Sequence, residues 1–248
     1  EEIYLDLVWS LITESGLGEA WSEQILRVVE EARKERVKKQ GEAGLGLQVA
    51  FHEGHVLDQL EGIKRNTERL IAKQHDDGSF PFEPDREHAV FGQRGDSSSG
   101  HTAMFARQIW QAAVLLNDSS FIDAGLKSFD YFRTQKRPEG AQTWELPLHV
   151  PDVLASAHII QCYLMAYDLL GDEAFLDKAE TWAYRALPFI YLWNPADRPI
   201  MRYGSIPVFG ATWFSGGWFG RIVQWNGLVL AEALVELAER RPDTEWRK

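Results

Sequence analysis

The sequence predicts an all-α fold assembled from repeated helix hairpins, and three observations lead there. Apolar residues recur at three- and four-residue spacing through most of the chain. A polar corner between two helices recurs 54 residues further on. No Val/Ile-rich alternating run supports a substantial sheet.

Taken in order, residues 3–13 read as a short amphipathic helix with Leu5, Val8, Trp9 and Ile12 on one face, ended by Ser15-Gly16-Leu17-Gly18. A second helix is expected over 19–40, carrying Trp21, Ile25, Leu26 and Val29 inward. It closes in Lys and Arg, as a helix C-terminus prefers. A glycine-rich connection at 41–46 leads to a third helix over 55–74, with Val56, Leu60, Ile63, Thr67, Leu70 and Ile71 in register. Helices over 100–116, 120–135, 152–170, 173–187 and 222–241 follow, making about eight. A short hairpin is conceivable only within 198–220, where Gly and aromatics dominate. One domain over 1–248 is expected, with repeated hairpins in 54–241 and further helices in 1–53.

The repeat is specific. Leu115-Leu116-Asn117-Asp118-Ser119-Ser120-Phe121-Ile122-Asp123 recurs as Leu169-Leu170-Gly171-Asp172-Glu173-Ala174-Phe175-Leu176-Asp177. Asp118 and Asp172 suit the N-caps of the helices that follow. A fainter echo links Gln74-His75-Asp76-Asp77-Gly78-Ser79-Phe80-Pro81 with the stretch from Gln135 to Trp144: each leaves a helix at Gln, passes an acidic-Gly turn and reaches an aromatic. The connections therefore sort into short corners and three long loops, 75–99, 136–151 and 188–220. Rigid helices that display long polar-aromatic loops on one side usually carry binding and catalysis there.

The composition is that of an ordinary globular protein, 45% hydrophobic and 25% charged, with 10 Trp. A formal charge of −11 repels phosphate backbones, so no nucleic-acid partner is expected. The single cysteine, Cys162, excludes an intrachain disulfide and any multi-cysteine metal site, and its apolar helical setting reads as a buried structural thiol. No metal or cofactor is expected. His52-Glu53-Gly54-His55 lacks the i, i+4 spacing of a zinc-binding helix, and there is no Gly-rich phosphate loop or dinucleotide fingerprint. No apolar run is expected to reach the ~18 residues that span a bilayer, so no membrane partner is expected. The chain opens on Glu1-Glu2, which reads as a processed or trimmed start, and a periplasmic or secreted location is favoured over a cytoplasmic one.

The stretch Gln74-His75-Asp76-Asp77-Gly78-Ser79-Phe80 and the corner Leu170-Gly171-Asp172-Glu173-Ala174-Phe175-Leu176 carry a resemblance. They look like the turns and corners of the α/α-toroid superfold, and of its six-hairpin glycosidase-like, carbohydrate-active members above all. The resemblance spans 60–190, about half the chain, and implies fold rather than reaction. The terpenoid cyclase branch would need a D-x-D-D string, which is absent. The prenyltransferase branch would need a zinc-ligating Cys, and Cys162 is in the wrong context. A full six-hairpin ring has twelve helices against the eight read here, so the expected toroid is incomplete or part of it lies outside these residues.

Glycoside hydrolysis needs two carboxyl groups flanking the scissile bond, one protonated and one ionised. Glu145, set between Trp144 and Leu146-Pro147, is the leading acid, because an apolar setting raises a carboxyl pKa. Asp152, after Pro151 at the start of a helix, is a base or simply an N-cap. Asp96, in Gly95-Asp96-Ser97-Ser98-Ser99-Gly100-His101, is the other candidate base, and His101 would meet substrate at a helix N-terminus. Of Asp76 and Asp77, one holds the turn before Gly78 and the other faces the cleft, with Asp77 assigned to substrate. Trp144, Trp213 and Trp218 are ring-stacking candidates for a sugar, the last two within an alternation of Gly with Trp and Phe that serves equally as a hydrophobic plug. His149, Arg202, Tyr203 and Asn194 match by residue type the set with which lyases of this fold take a proton beside a uronate, with Arg198 and Arg202 gripping carboxylates.

The leading expectation is thus a glycoside hydrolase acting on an oligo- or polysaccharide. The alternatives are a polysaccharide lyase working by β-elimination and a non-catalytic sugar-binding or scaffold domain.

Overall fold

The computed structural model describes residues 23, 27–28, 31, 56–191, 196–197, 205–206 and 224–246. The chain divides into two compact units, Glu1–Asn66 and Thr67–Lys248. Most of the helices expected at 3–13 and 19–40 lies outside the described residues. Residues 23, 27, 28 and 31 are helical, with Arg27 and Glu23 paired at 3.7 Å one turn apart.

The described residues are all-α and contain no strand, only two isolated bridges, Glu139 with Pro151 and Ile190 with Ser205. Six α-helices are described where eight were expected over the whole chain: α1 (Val56–Ile71), α2 (Ser99–Leu116), α3 (Ser119–Thr134), α4 (Val153–Leu170), α5 (Glu173–Ala186) and α6 (Gln224–Arg240). Single 3₁₀ turns occupy His88–Phe91 and Leu187–Phe189. Helix α1 stops three residues before Gln74, because the amides of Lys73 and Gln74 turn to the carbonyls of Leu70 and Ile71 and tighten the last turn.

The 54-residue repeat is a repeat of geometry. Asn117 and Gly171 both end their helices in the left-handed region, at φ 49° and 71°, and their amides bond the carbonyls of Ala113 and Tyr167. The next residues, Asp118 and Asp172, accept the amides of Ser120 and Ala174 at 2.9 Å, as N-caps of α3 and α5. Two-residue corners of this kind leave α2 antiparallel to α3, and α4 antiparallel to α5.

Helix α4 packs against α2, α5 and α6, and its sequence, VLASAHIIQCYLMAYDLL, is apolar almost all round, as a helix flanked on several sides must be. At 18 residues with a mean hydropathy of 1.4 it is long and apolar enough to cross a membrane, contrary to the expectation that no run reaches that length. Its setting supplies the reason for the apolarity, since 72% of it is buried within the protein. Cys162 lies in it, fully buried, and burial pushes the thiol pKa up, as a structural thiol requires. Helices α3 and α5 each bury one stripe: Phe121, Ala124, Gly125, Ser128, Phe129 and Phe132 in α3, and Leu176, Ala179, Trp182, Ala183 and Ala186 in α5. Between the layers Phe129 stacks on Trp110 at 5.4 Å and on Tyr163 at 4.1 Å, and meets Phe175 at 5.5 Å.

The loop 135–152 ties the helix N-termini together. The amide of Gly100 in α2 bonds the Glu139 carbonyl at 2.7 Å, and Ser98 Oγ donates to the Gly140 carbonyl. At the start of α4, the Asp152 amide bonds the Pro138 carbonyl. At the start of α6, Asn226 Nδ2 donates to Gln142 Oε1 at 3.1 Å. Leu148 joins the preceding loop through the Phe91 carbonyl.

Gly140 makes this loop possible. It sits at φ +67°, and a Cβ there would lie 1.9 Å from the Leu148 carbonyl oxygen. Gly171 has a similar φ but open space around it. Gly171→Ala therefore costs only the left-handed penalty, ~1–2 kcal/mol. Gly140→Ala adds a backbone clash and is expected to cost clearly more. Equilibrium urea unfolding of the two variants measures the difference, and equal losses would contradict the loop geometry.

Candidate functional site

Asp152 shows how the loop end of the molecule is held. Its carboxylate accepts the amides of Leu154, Ala141 and Gln142 and the Gln142 side-chain amide, all at 2.9–3.0 Å. The residue is 1% exposed. Burial pushes its pKa up to about 6, against the pull of these four donors. The capping role therefore holds and the role of catalytic base does not, since the residue is buried and both oxygens are occupied.

Two further candidates are engaged in contacts within the protein. His101 is 6% exposed, wedged edge-on between Phe82 and Phe105, with Nε2 donating to the Pro81 carbonyl at 3.1 Å. Burial lowers its pKa below the ordinary histidine value, and the ring is part of the core. Asp77 spends its carboxylate inside its own turn, accepting the Ser79 amide at 2.9 Å and the Ser79 hydroxyl at 2.7 Å. These bonds hold its pKa below the usual value even though partial burial acts to raise it. The turn itself is locked onto α3 by Gln74, whose Nε2 donates to the Ala124 carbonyl and to Ser128 Oγ.

His149 is exposed and donates from Nδ1 to Glu139 at 3.1 Å, while Arg137 Nε meets the other Glu139 oxygen at 2.6 Å. Glu139, overlooked in the sequence, is the shielded member of this trio, its side chain 11% exposed. Of the residues that the lyase expectation grouped with His149, Asn194, Arg198, Arg202 and Tyr203 lie outside the described residues, as do Trp213 and Trp218.

What the loops do bring together is a pair of exposed rings. Trp144, in the turn 143–145, and Trp225, in the first turn of α6, have centroids 6.2 Å apart and planes inclined by 34°. They are 45% and 40% exposed. Glu145 follows Trp144 in the same turn and is half-buried, and its carboxylate takes no hydrogen bond among the described residues. Asp96 is likewise half-buried, its backbone paired with Phe82 and its carboxylate not hydrogen-bonded among those residues. His88 reaches this edge from the first long loop. It donates from Nδ1 to Asp85 at 2.7 Å, which raises its pKa, with a smaller contribution in the same direction from the Trp144 backbone. The His88 bonds in turn hold Asp85 below the usual carboxylate range.

Two cavities are described. One of about 560 Å³ lies over the loop 84–94, beside His88, and is bordered by Asp85, Arg86, Gln93 and Arg94. The other, about 600 Å³, lies between α5 and α6. Neither is lined by Glu145, Asp96 or His149. No group of three or more His, Cys, Asp or Glu among the described residues could hold a metal ion.

Sequence reasoning missed Trp225, the Asp85–His88 pair and the Gln142–Asn226 link. Trp225 had a readable signal, a large ring in the first turn of α6 outside its buried stripe of Asn226, Leu230, Ala233 and Leu237. Asp85 and His88 stand three apart in a loop, a spacing without meaning until the 3₁₀ turn is known. Gln142 had no signal at all.

Two outcomes follow from these contacts. Asp152→Ala strands several buried N–H donors at ~1–3 kcal/mol each, so the variant is expected to lose several kcal/mol in urea unfolding; a loss under ~1 kcal/mol would deny the hub its role. In an NMR titration His88 is expected above 6.5 and His101 below it, and Asp85→Asn is expected to lower His88 alone.

Comparison with known proteins returned no matching family model, no matching curated protein and no matching solved structure.

Proposed function

We propose that this chain is a carbohydrate-active enzyme of the glycoside hydrolase type, acting on an oligo- or polysaccharide. The observation that carries the reading is the exposed Trp144–Trp225 pair at the end where the helix N-termini gather. Two flat rings from different elements, inclined and open to solvent, suit the apolar face of a sugar ring. Glu145, one residue from Trp144 and with a carboxylate that takes no hydrogen bond among the described residues, is the proposed proton donor. With Asp152 committed to the hub, Asp96 is the remaining candidate for the base. An inverting enzyme would set the two carboxyl groups ~6.5–9.5 Å apart and a retaining one ~5–5.5 Å.

The reading includes a fold proposal. Helices α2, α4 and α6 form one layer and α3 and α5 another, which fits an arc of an α/α toroid with its long loops at one end. The 54-residue repeat of cap geometry supports this arrangement.

The test separates binding from chemistry. A panel of oligosaccharides is screened by calorimetry and by product analysis. Trp225→Ala is expected to weaken binding by roughly tenfold, the scale of one lost ring contact. Glu145→Gln is expected to keep binding and lower turnover by ~10²–10⁴-fold, the scale of general-acid catalysis. Full turnover in Glu145→Gln would remove the acid assignment, and binding with no product from any glycan would leave a sugar-binding module instead of a hydrolase.

A further inference from the structure

We propose that the furrow along α4, between α2 and α6, holds the continuation of the sugar chain whose end lies on Trp144 and Trp225, with Arg107, Gln161 and Glu232 binding its hydroxyls. The inference rests on the reading of the ring pair as a sugar platform and extends that platform along α6.

The furrow follows from how α4 is packed. Helix α4 lies against both α2 and α6, whereas α2 and α6 share no packed face. One side of α4 meets the outer layer, where Ser156 Oγ donates to the Trp182 carbonyl of α5 at 2.6 Å and Tyr163 stacks on Phe129 of α3 at 4.1 Å. From 153 to 166 every residue of α4 is buried except His158 and Met165. Gln161 stands between these two, and the three fall on one stripe of the helix. His158 follows Ser156 by two positions, as Gln161 precedes Tyr163 by two, which sets the stripe about 200° from the outer layer. Its floor is therefore α4 and its walls are α2 and α6.

The middle of the furrow is polar. Gln161 is 5% exposed, and its Nε2 donates to Glu232 Oε2 of α6 at 3.4 Å. Its Oε1 is buried without a hydrogen-bond partner among the described residues, as is His158 Nδ1. A buried acceptor left unpaired is costly, and a ligand hydroxyl would satisfy it. From the α2 wall the Arg107 charge acts on His158 of α4 and on Glu236 of α6. Burial, and after it Arg107, pushes the His158 pKa down to about 3, so the ring is neutral at neutral pH. Burial and then the Glu232 charge push Glu236 up. Further along, Arg240 is committed to Asp168. Carboxylates, an amide oxygen and a guanidinium side by side suit hydroxyls, which both donate and accept.

The furrow is continuous with the ring pair. On α6, Trp225, Val229, Glu232 and Glu236 follow one another at four-, three- and four-residue steps, one stripe ~17 Å long. Val229 and Met104 of α2 pack on the cluster of Ala141, Leu154 and Ala155. An apolar stretch thus joins the rings to the polar middle, and the whole has room for several sugar rings with their apolar faces and hydroxyl edges.

Calorimetry and side-chain NMR with cello-, xylo- and malto-oligosaccharides, each as the disaccharide and the pentasaccharide, test the extension. Disaccharides are expected to shift the Trp225 indole alone. The pentasaccharide of a binding series is expected to shift the Gln161 side-chain amide as well, and to bind at least about tenfold tighter. Gln161→Leu and Glu232→Ala should each remove that gain without weakening the disaccharide. Gln161→Leu leaves no buried amide unpaired, so its Tm is expected to hold or rise; should Tm fall, Glu232→Ala, at an exposed position of α6, decides. Pentasaccharide binding that needs Trp225 but leaves the Gln161 amide unshifted and ignores both variants would overturn this inference and spare the ring-pair reading. Binding by no member of the series, or binding indifferent to Trp225→Ala, would overturn the ring-pair reading and this inference with it.

Discussion

The structure depends on one buried carboxylate. Asp152 caps α4 and at the same time fixes Ala141 and Gln142 in the loop that lies against the start of α2. Through Gln142 it reaches Asn226, and so the first turn of α6. Three helices that share few sequence neighbours are therefore positioned by a single side chain. An isolated carboxylate in such a place would be prohibitive, and the four donors around it are what make it tolerable. They also remove it from chemistry, because a group so fully hydrogen-bonded has nothing left for a substrate.

The fold was largely legible because its signals are local. Helix stripes such as Phe121–Ala124–Ser128–Phe132 need only the 3.6-residue period, and the corners at Asn117-Asp118 and Gly171-Asp172 advertise left-handed closure and N-capping in adjacent residues. The end of α1 was misplaced because its last turn tightens onto Leu70 and Ile71, a choice that the apolar pattern does not record. The apolar length of α4 was understated, since polar residues such as His158, Gln161 and Asp168 interrupt the string without changing its mean character.

The site was legible only in part. Loop acids were picked by residue type and neighbourhood, and type does not reveal whether a carboxylate faces its own turn, as Asp77 does, the interior, as Asp152 does, or an open edge. His101 illustrates the same limit: a His at a helix N-terminus reads as a ligand contact, yet flanking Phe82 and Phe105 make it part of the core. Trp144 was found because it stands in a loop of unusual composition. Its partner Trp225 is 81 positions away, and only tertiary structure brings the rings together.

The Gln142–Asn226 bond has a mechanical consequence for that ring pair. Asn226 is the residue next to Trp225, so the bond fixes the rotation of α6 about its own axis at the level of the ring. A helix turned by one residue carries its side chains through roughly 100°. Such a turn would swing the indole of Trp225 away from Trp144 altogether. The facing of the two rings is thus set from inside the protein, by a chain of contacts that runs from a buried carboxylate through one glutamine and one asparagine to the surface.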